Sequence, residues 1–224
     1  MLYKYETHLH TSETSFCGKS TAVEMVRFYK NLGYRGIFVT DHLYPPKTVD
    51  MEDQPWEAPV ARHLRGYDAA AAAGRDLGLD VFLAWEYSYG WAHFLTYGLD
   101  REWLLDHPDL FEWDVMDYFD RVREDGGWIV HAHPFRERVE HVHLFPSKTD
   151  AVEVVNTGRD DQHNRYALDY ANSFNLPQTV GSDIHSTEKK VLAAVGSKEP
   201  LNGPRDYMEA VLAGSLEFCH HELP

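Results

Sequence analysis

Short hydrophobic runs alternate with amphipathic stretches along most of this chain, an order that predicts repeated strand–helix–strand units. The predicted strands are Tyr3–His10, Gly36–His42, Val81–Glu86, Ala92–Leu99, Trp128–Pro134, Ala151–Asn156, Gln178–His185 and Leu216–Cys219. The predicted helices are Ala22–Leu32, Val60–Leu77, Asp114–Glu124, His163–Phe174 and Arg205–Ala213. Seven or eight strands, mostly separated by helices, favour a small α/β barrel of the TIM type. An open doubly wound sheet is the alternative, but no glycine-rich phosphate loop follows the first strand.

Residues 43–59 interrupt this alternation. They contain four prolines and show no regular hydrophobic period, so we expect a long loop beside the mouth of the barrel, as an inserted lid. Elsewhere glycine and proline are spread through the predicted loops, and no stretch has the composition of a domain linker. The sequence therefore predicts one domain over residues 1–224.

Composition and charge narrow the function classes. A hydrophobic content of 43% is enough for a sizeable core, whereas the formal charge of −15 argues against extended nucleic acid or an anionic membrane as partner. The two cysteines, Cys17 and Cys219, form no disulfide framework, and we find no apolar leader and no membrane-spanning stretch. We expect a cytoplasmic protein that acts on a small substrate.

Histidines and acids gather at the carboxyl ends of five predicted strands. In a parallel barrel these ends meet at one mouth, so the side chains should converge on a small volume. Imidazoles and carboxylates packed that closely need a cation among them. The residues concerned are His8, His10, Asp41, His42, Glu86, His131, His133, Asp183 and His185. Their mixture of nitrogen and oxygen donors suits zinc, manganese or iron, and predicts a multinuclear metal site.

Each of these motifs also has a purely structural interpretation. The pair His8 and His10 is compatible with two partly exposed histidines at a strand end, and Asp41 with a helix-capping residue. Glu86 is compatible with a salt bridge at the rim. All five motifs lie at the same end of their strands, however, and five independent coincidences are a poor explanation.

The motifs H-L-H-T, T-D-H, a strand-final Glu, H-P and G-S-D-I-H occur here in the order found in the polymerase and histidinol phosphatase (PHP) superfamily. The resemblance extends from His8 to the last strand. It implies a distorted (β/α)7 barrel with two or three divalent metal ions at the carboxyl ends of the strands. It also implies phosphoric ester hydrolysis of the histidinol phosphatase type.

The resemblance assigns ligands position by position. The ligands implied for the first ion are His8, His10, Glu86 and Asp183. Glu86 is implied to bridge to a second ion, shared with His133, and His93 resembles a further histidine of the family. His42 and His185 are implied ligands of a third ion. The chain departs from the family in the loop TSETSFCGK, where Cys17 or Glu13 would have to complete this third site, unless it is weak or empty.

The implied reaction is hydrolysis of a small phosphomonoester by a hydroxide that the metal ions activate. The implied catalytic residues are Glu86, Asp183 and Arg136, the last gripping a phosphate oxygen. The expected substrate-binding residues are Arg136, Asn156, His131 and His163. Two alternatives stay open: a phosphodiesterase or nuclease acting on nucleotides or short oligonucleotides, and a non-catalytic metal-binding regulatory domain. The sequence selects neither the substrate, nor the metal, nor the oligomeric state.

Overall fold

Nine strands form one sheet that curls into a nearly closed barrel in the computed structural model, which describes residues 2–136 and 138–223. The strands are β1 (Tyr3–Glu6), β2 (Gly36–Val39), β3 (Asp80–Tyr89), β4 (Ala92–Tyr97), β5 (Trp128–Ala132), β6 (Ala151–Asn156), β7 (Gln178–Gly181), β8 (Val191–Ser197) and β9 (Glu217–Glu222). The helices are α1 (Ala22–Asn31), α2 (Glu57–His63), α3 (Arg65–Leu77), α4 (Arg101–Asp106), α5 (Val115–Glu124), α6 (Asp161–Phe174) and α7 (Pro204–Leu212). Short 3-10 helices occupy Pro46–Val49, Leu110–Glu112 and Val139–His141.

Most of the barrel strands point the same way. The order in the sheet is β7-β6-β5-β4-β3-β2-β1-β8-β9, in which β4 runs antiparallel to both of its neighbours and β8 runs antiparallel to β1 and β9. The mouth closes where the chain beyond β1 meets the chain beyond β7. There the His10 amide donates to the Ile184 carbonyl at 2.9 Å, and the Ile184 amide donates to the His8 carbonyl at 3.2 Å.

The helix ends follow local sequence signals. Thr21 and Glu24 form a capping box at the start of α1, each side chain bonding the other residue's backbone. Asp114 and Asp160 cap α5 and α6 by accepting two backbone N–H groups each. These caps fix where each helix begins and therefore how long the preceding strand-to-helix loop is.

Aromatic side chains fill the barrel below the mouth. The Phe38 ring lies 5.5 Å from Tyr97 and 4.9 Å from Tyr207, and all three side chains are completely buried. Tyr207 belongs to α7, which contacts β3, β4 and β7 and so covers the end of the barrel opposite the mouth. Burying each of these rings contributes roughly 2–3 kcal/mol, which makes the barrel interior a packed core with the mouth as its open end.

The predicted fold class, a distorted barrel of the TIM type, is confirmed. Residues 43–59 were predicted to form a loop without regular structure. This prediction is wrong, because they contain a 3-10 helix and the first turn of α2. The single helix predicted over Val60–Leu77 is two helices that meet at Leu64. The helices of the described ranges are all too short or too polar to cross a lipid bilayer.

One strand and one α-helix of the described residues were not predicted, besides the short 3-10 helices. Strand β8 is buried at every position after Val191, so it lacks the alternation that marks a half-exposed strand. Helix α4 has six residues, less than two turns, which is too short for a hydrophobic period to appear.

Candidate metal centre

The barrel brings all eight predicted ligands, and the sulfur of Cys17, into one cluster at the mouth. His8 and His10 lie on the extended chain just beyond β1, His42 follows β2, and Glu86 lies within β3. His93 sits near the start of β4, and because β4 runs antiparallel, its amino end is the one that reaches the mouth. His133 follows β5, and Asp183 and His185 follow β7.

Four donor atoms of the cluster have the spacing of ligands around one ion. His10 Nε2 lies 3.1 Å from His8 Nε2, 3.2 Å from Glu86 Oε2 and 3.3 Å from Asp183 Oδ1. His8 Nε2 lies 3.6 Å from the same Glu86 oxygen and 3.5 Å from the same Asp183 oxygen. A tetrahedral ion with bonds of about 2.1 Å separates its ligand atoms by about 3.4 Å. The four side chains predicted for the first ion therefore fit a divalent cation.

The two oxygens of Glu86 face different histidines. Oε2 faces His8, His10 and also His42, whose Nδ1 lies 3.1 Å away. Oε1 lies 2.6 Å from His93 Nδ1 and 3.1 Å from His133 Nε2. A carboxylate with one oxygen on each side is the arrangement that a bridge between two ions requires, as predicted for Glu86.

Cys17 lies next to His42 on the third side of the cluster. Donor atoms of His10, Cys17 and His42 all lie within 4.8 Å of one another. His185 stacks on His10 with ring centroids 4.6 Å apart, and its Nε2 is 3.6 Å from Asp183 Oδ1. Glu13 points elsewhere, because both of its carboxylate oxygens accept the Ala22 amide at 3.0 Å. Of the two residues considered for this place, the geometry favours Cys17.

Glu153 was not among the predicted site residues. It lies on the side of His8 and His133 away from the cluster and orients these two predicted ligands. Its Oε1 accepts a hydrogen bond from His8 Nδ1 at 2.9 Å, leaving His8 Nε2 directed at the cluster. Its Oε2 accepts the His133 amide at 3.0 Å and the Asn156 side chain at 2.9 Å. A sequence signal existed, since Glu153 is an acid inside the apolar run AVEVV, the same reasoning that singled out Glu86.

Two further buried acids hold the backbone around the ligands. Glu6 accepts hydrogen bonds from the amides of His8 and Ser182, at 2.9 Å each, and thereby ties the ends of β1 and β7 together. Asp41 acts on His10 indirectly, because it accepts from the Ser15 hydroxyl at 2.6 Å, and the Ser15 oxygen lies 3.3 Å from His10 Nδ1.

Burial and charge shift the pKa values in opposite directions within the cluster. Burial lowers the pKa of His10, but hydrogen bonds to Asp183 and Glu86 outweigh it and raise the value to about 9. Burial raises the pKa of Glu86, but the imidazoles of His42, His93 and His8 outweigh it and hold the value well below the ordinary range. Burial lowers the pKa of His42 to about 3. The cluster thus contains ionised carboxylates, and protons on His10 compete with cations for the same atoms.

Two of the ligands have unfavourable backbone conformations. His133 has φ of 29° and Asp183 has φ of 50°, in the left-handed region that non-glycine residues seldom occupy. Gly181, at the end of β7, has no room for a side chain, since a Cβ there would lie 2.6 Å from Glu153 Oε1 and 2.7 Å from His8 Cβ. Such strain persists where the surrounding structure fixes it, and it turns both ligands toward the mouth.

The residues predicted to bind substrate have different placements. Arg136 lies beside the cluster, with Nη1 3.2 Å from His93 Nδ1. Asn156 is buried, and its amide donates to Glu153 at 2.9 Å and Asp183 at 3.3 Å, so it positions ligands. His163 lies in the first turn of α6 at the surface, where its Nδ1 is 2.6 Å from Asp160 Oδ1.

His131 is not brought into the cluster. It is completely buried, and its ring lies 4.9 Å from Phe94 and 6.0 Å from Tyr170. Burial lowers its pKa to about 3, so this imidazole is neutral. Its placement gives no support for the predicted contact with substrate.

A basic cavity that sequence reasoning missed adjoins the cluster. It has a volume of about 380 Å³, and three cations, Lys19, Arg159 and Lys189, line it together with His185 and two acids, Asp183 and Glu188. Arg159 Nη2 lies 3.9 Å from Asp183 Oδ2, and Lys189 donates to the carbonyl of Asp183 at 3.4 Å. These cations come from separate loops with no shared motif, so no sequence signal identified them.

Comparison with known proteins identifies the fold. No protein-family profile and no curated sequence matches the chain. Among solved structures, a two-domain protein from Bacteroides vulgatus containing a predicted PHP-like metal-dependent phosphoesterase aligns with a TM-score of 0.73 and 20% identity. The alignment covers 99% of this chain, which spans 65% of that protein's length.

Two further structures align along nearly their whole length. PsfC from Pseudomonas syringae has a TM-score of 0.61 and 18% identity, over 98% of this chain and 91% of PsfC. A protein from Bifidobacterium adolescentis, named as a candidate metal-dependent phosphoesterase, has a TM-score of 0.58 and 16% identity, over 95% and 96% of the two chains. The chain therefore shares the fold of these three structures, one of which contains a predicted PHP-like metal-dependent phosphoesterase.

Proposed function

We propose that this chain is a member of the PHP superfamily that hydrolyses a small phosphomonoester with two or three divalent cations bound in the cluster. The observation that carries this proposal is the spacing of four donors from His8, His10, Glu86 and Asp183, which lie 3.1–3.6 Å apart in the pairs around the two imidazoles. Without a cation, the 3.1 Å contact between the two imidazole Nε2 atoms is one N–H···N hydrogen bond, and its single proton leaves the accepting Nε2 lone pair facing the oxygens of Glu86 and Asp183 as well.

The protein residues would hold and orient the reacting groups. Divalent cations in such a site supply Lewis acidity and lower the pKa of water, which generates a nucleophile near neutral pH. Glu86 and Asp183 would hold the cations with carboxylate oxygens that already face the imidazoles of His8, His10 and His133. Arg136 would take a phosphate oxygen at the His93 side of the mouth, where its guanidinium already lies.

Local positive charge supports an anionic substrate despite the overall charge of −15. The basic cavity formed by Lys19, Arg159 and Lys189 opens beside Asp183, on the side of the cluster where His185 lies. A phosphate bound by the cations would be within reach of these side chains, which favour anions over neutral esters. Histidinol phosphate fits this class, as do other small phosphomonoesters.

A nucleotide substrate is the second candidate, and exposed aromatic rings favour it. Phe16 is 65% exposed and lies next to Cys17 in the sequence. Its ring stacks on that of Tyr44, near His42, with the ring centroids 4.7 Å apart. Trp91 is 53% exposed, and its ring stacks on that of His141 with the ring centroids 4.8 Å apart. Exposed rings beside a phosphate site suit a base that stacks on them.

Chelation followed by reconstitution tests the main proposal. The chelated protein should not hydrolyse p-nitrophenyl phosphate, and added Mn²⁺ or Zn²⁺ should restore hydrolysis. Asp183→Asn should abolish the restored activity. Asp150→Asn is the matched control, because Asp150 accepts the Ile129 amide at 2.9 Å before β6 begins, away from the mouth.

A substrate panel separates the remaining candidates. Histidinol phosphate, a nucleoside monophosphate and bis-p-nitrophenyl phosphate should be compared at equal concentration. Faster hydrolysis of either monoester supports a phosphomonoesterase. Faster hydrolysis of the diester would indicate a phosphodiesterase instead. Metal binding without hydrolysis of any of the three would favour a regulatory metal-binding domain.

A further inference from the structure

The group of His10, Cys17 and His42, here called the thiol position, is chemically unlike the rest of the cluster. Its three donor atoms lie within 4.8 Å of one another. Within residues 2–136 and 138–223, the other close groups of possible ligands contain only imidazoles and carboxylates. The thiol position alone offers sulfur, which changes the kind of ion it should prefer.

The loop that carries Cys17, residues 11–20, is held at its base. The Ser12 amide donates to the Ser20 carbonyl at 3.0 Å, which closes the loop. Within it, the Gly18 amide donates to the Ser15 carbonyl at 3.0 Å. Gly18 also packs directly on the backbone of Thr11, where a Cβ would collide with the carbonyl group. The position of Cys17 is thus set by backbone contacts of its own loop.

Ser15 connects this loop to both histidines of the thiol position. Its hydroxyl donates to Asp41 Oδ1 at 2.6 Å and accepts the His42 amide at 3.0 Å. The same oxygen lies 3.3 Å from His10 Nδ1. The loop that carries Cys17, the backbone of His42 and the imidazole of His10 are therefore linked through one hydroxyl, which is the preorganisation expected of a ligand set.

We propose that Cys17 binds a divalent cation at the thiol position as a thiolate, and that this sulfur makes the position selective for thiophilic ions. Zn²⁺ and Co²⁺ should bind there in preference to Mn²⁺ and Mg²⁺, which favour oxygen ligands. The Sγ–H proton passes to water as the Sγ–metal bond forms, so neither an oxidant nor a reductant takes part. The inference rests on the proposed function only in taking the cluster to be a divalent-cation site.

Cobalt absorption tests the sulfur bond directly. The chain has two cysteines, and Cys219 lies on the edge strand β9, so Cys219→Ser provides a background with one thiol. Adding Co²⁺ to this chelated variant should produce near-ultraviolet thiolate-to-cobalt charge-transfer absorption. The double variant Cys17→Ser, Cys219→Ser should lack that absorption while keeping the visible bands of cobalt bound elsewhere in the cluster.

Selectivity is measured by elemental analysis after exchange. Zn-loaded Cys219→Ser protein dialysed against excess Mn²⁺ should keep about one Zn²⁺ per chain more than the double variant does. Cys17→His in the same background should bind as many ions as the Cys219→Ser protein. Its cobalt form should show no thiolate charge-transfer absorption, and Mn²⁺ should be able to replace Zn²⁺ at this position. This variant also covers the case in which the serine variant folds poorly.

The outcomes separate this inference from the proposed function. Thiolate binding would be overturned if the near-ultraviolet absorption were equal with and without Cys17. It would also be overturned if the Cys219→Ser protein showed no such absorption although cobalt analysis found its cluster fully loaded. Phosphomonoester hydrolysis, measured in parallel with Mn²⁺, can persist in either case and then leaves the proposed function standing. Charge transfer from Cys17 without hydrolysis would support the inference and count against the phosphatase.

Discussion

Two H-x-H segments of this chain look alike in sequence and differ in structure. His8 and His10 both enter the cluster, with their Nε2 atoms 3.1 Å apart. In the second segment, His133 reaches Glu86 at 3.1 Å, whereas His131 packs against Phe94 in the apolar layer. The i, i+2 rule therefore places a histidine pair correctly in one case and only half of it in the other.

The backbone explains the difference. His8 and His10 lie on extended chain beyond β1, where side chains two apart share a face. His131 is inside β5 and faces the same apolar layer as Phe94, while His133 follows the strand with φ of 29°. This left-handed residue breaks the alternation and turns His133 into the mouth. A spacing rule therefore holds only as far as the backbone stays extended.

His10→Ala should have the largest effect. The side chain lies within 3.3 Å of three other donor atoms, so its loss removes a ligand from the centre of the cluster. We expect at least about a thousandfold loss of hydrolysis and a lower metal content, because the cations provide most of the charge stabilisation. Elemental analysis and steady-state kinetics measure both effects. Wild-type metal content in this variant would contradict the ligand assignment.

His133→Ala should have a smaller but clear effect. It removes a contact from the Oε1 side of Glu86 and leaves the donors around Oε2 intact. We expect loss of about one ion per chain and roughly a hundredfold loss of hydrolysis. The same assays apply. If the variant lost every ion, the two sides of Glu86 would be one site and the bridging interpretation would be wrong.

Glu153→Gln tests the residue that touches both segments. Its carboxylate accepts from His8 Nδ1 at 2.9 Å and from the His133 amide at 3.0 Å. An amide can still accept one of these bonds, so we expect a ten- to hundredfold loss of metal affinity without unfolding. Competition with a chromophoric chelator gives the affinity. Unchanged affinity would mean that strand geometry alone orients His8.

The metal-free protein should be most stable near pH 6.5. The pKa of His10 is raised to about 9 in the folded state, so its contribution is present below pH 6.5 and is lost as the pH rises to about 9. Burial lowers the pKa values of His42 and His185 to about 3 and 4, so stability also falls below pH 6.5 as the unfolded chain takes up protons.

Thermal melting between about pH 5 and pH 9 checks this profile. Metal-loaded protein should lose the alkaline decline, because cations replace the proton on His10. A metal-free melting temperature that rises steadily from pH 6.5 to pH 9 would contradict the assigned pKa of His10.

His131→Leu should have the smallest effect. Among the residues that the structure describes, its two buried ring nitrogens have no hydrogen-bond partner, which costs about 1–3 kcal/mol. A leucine should therefore leave stability unchanged or raise it by about 1 kcal/mol, with metal content and kinetics unaltered. Denaturant unfolding and kinetics measure this. A selective rise in KM would restore the original prediction that His131 faces substrate.

The sequence predicted which side chains meet at the mouth better than it predicted their surroundings. His8, His10, Glu86 and Asp183 lie in short motifs on predicted strands, although β3 continues past Glu86 to Tyr89. Arg159 and Lys189 reach the mouth only through loop geometry, and loops have no period. The opposite directions of His131 and His133 depend on one backbone angle at His133, which no hydrophobic pattern encodes.

Anomalous scattering from crystals of reconstituted protein tests the central claim most directly. Data at the metal absorption edge should show at least two ions at the mouth, one among His8, His10, Glu86 and Asp183, and a second on the Oε1 side of Glu86. An empty mouth after reconstitution, with these imidazoles and carboxylates bonded only to one another, would contradict the account.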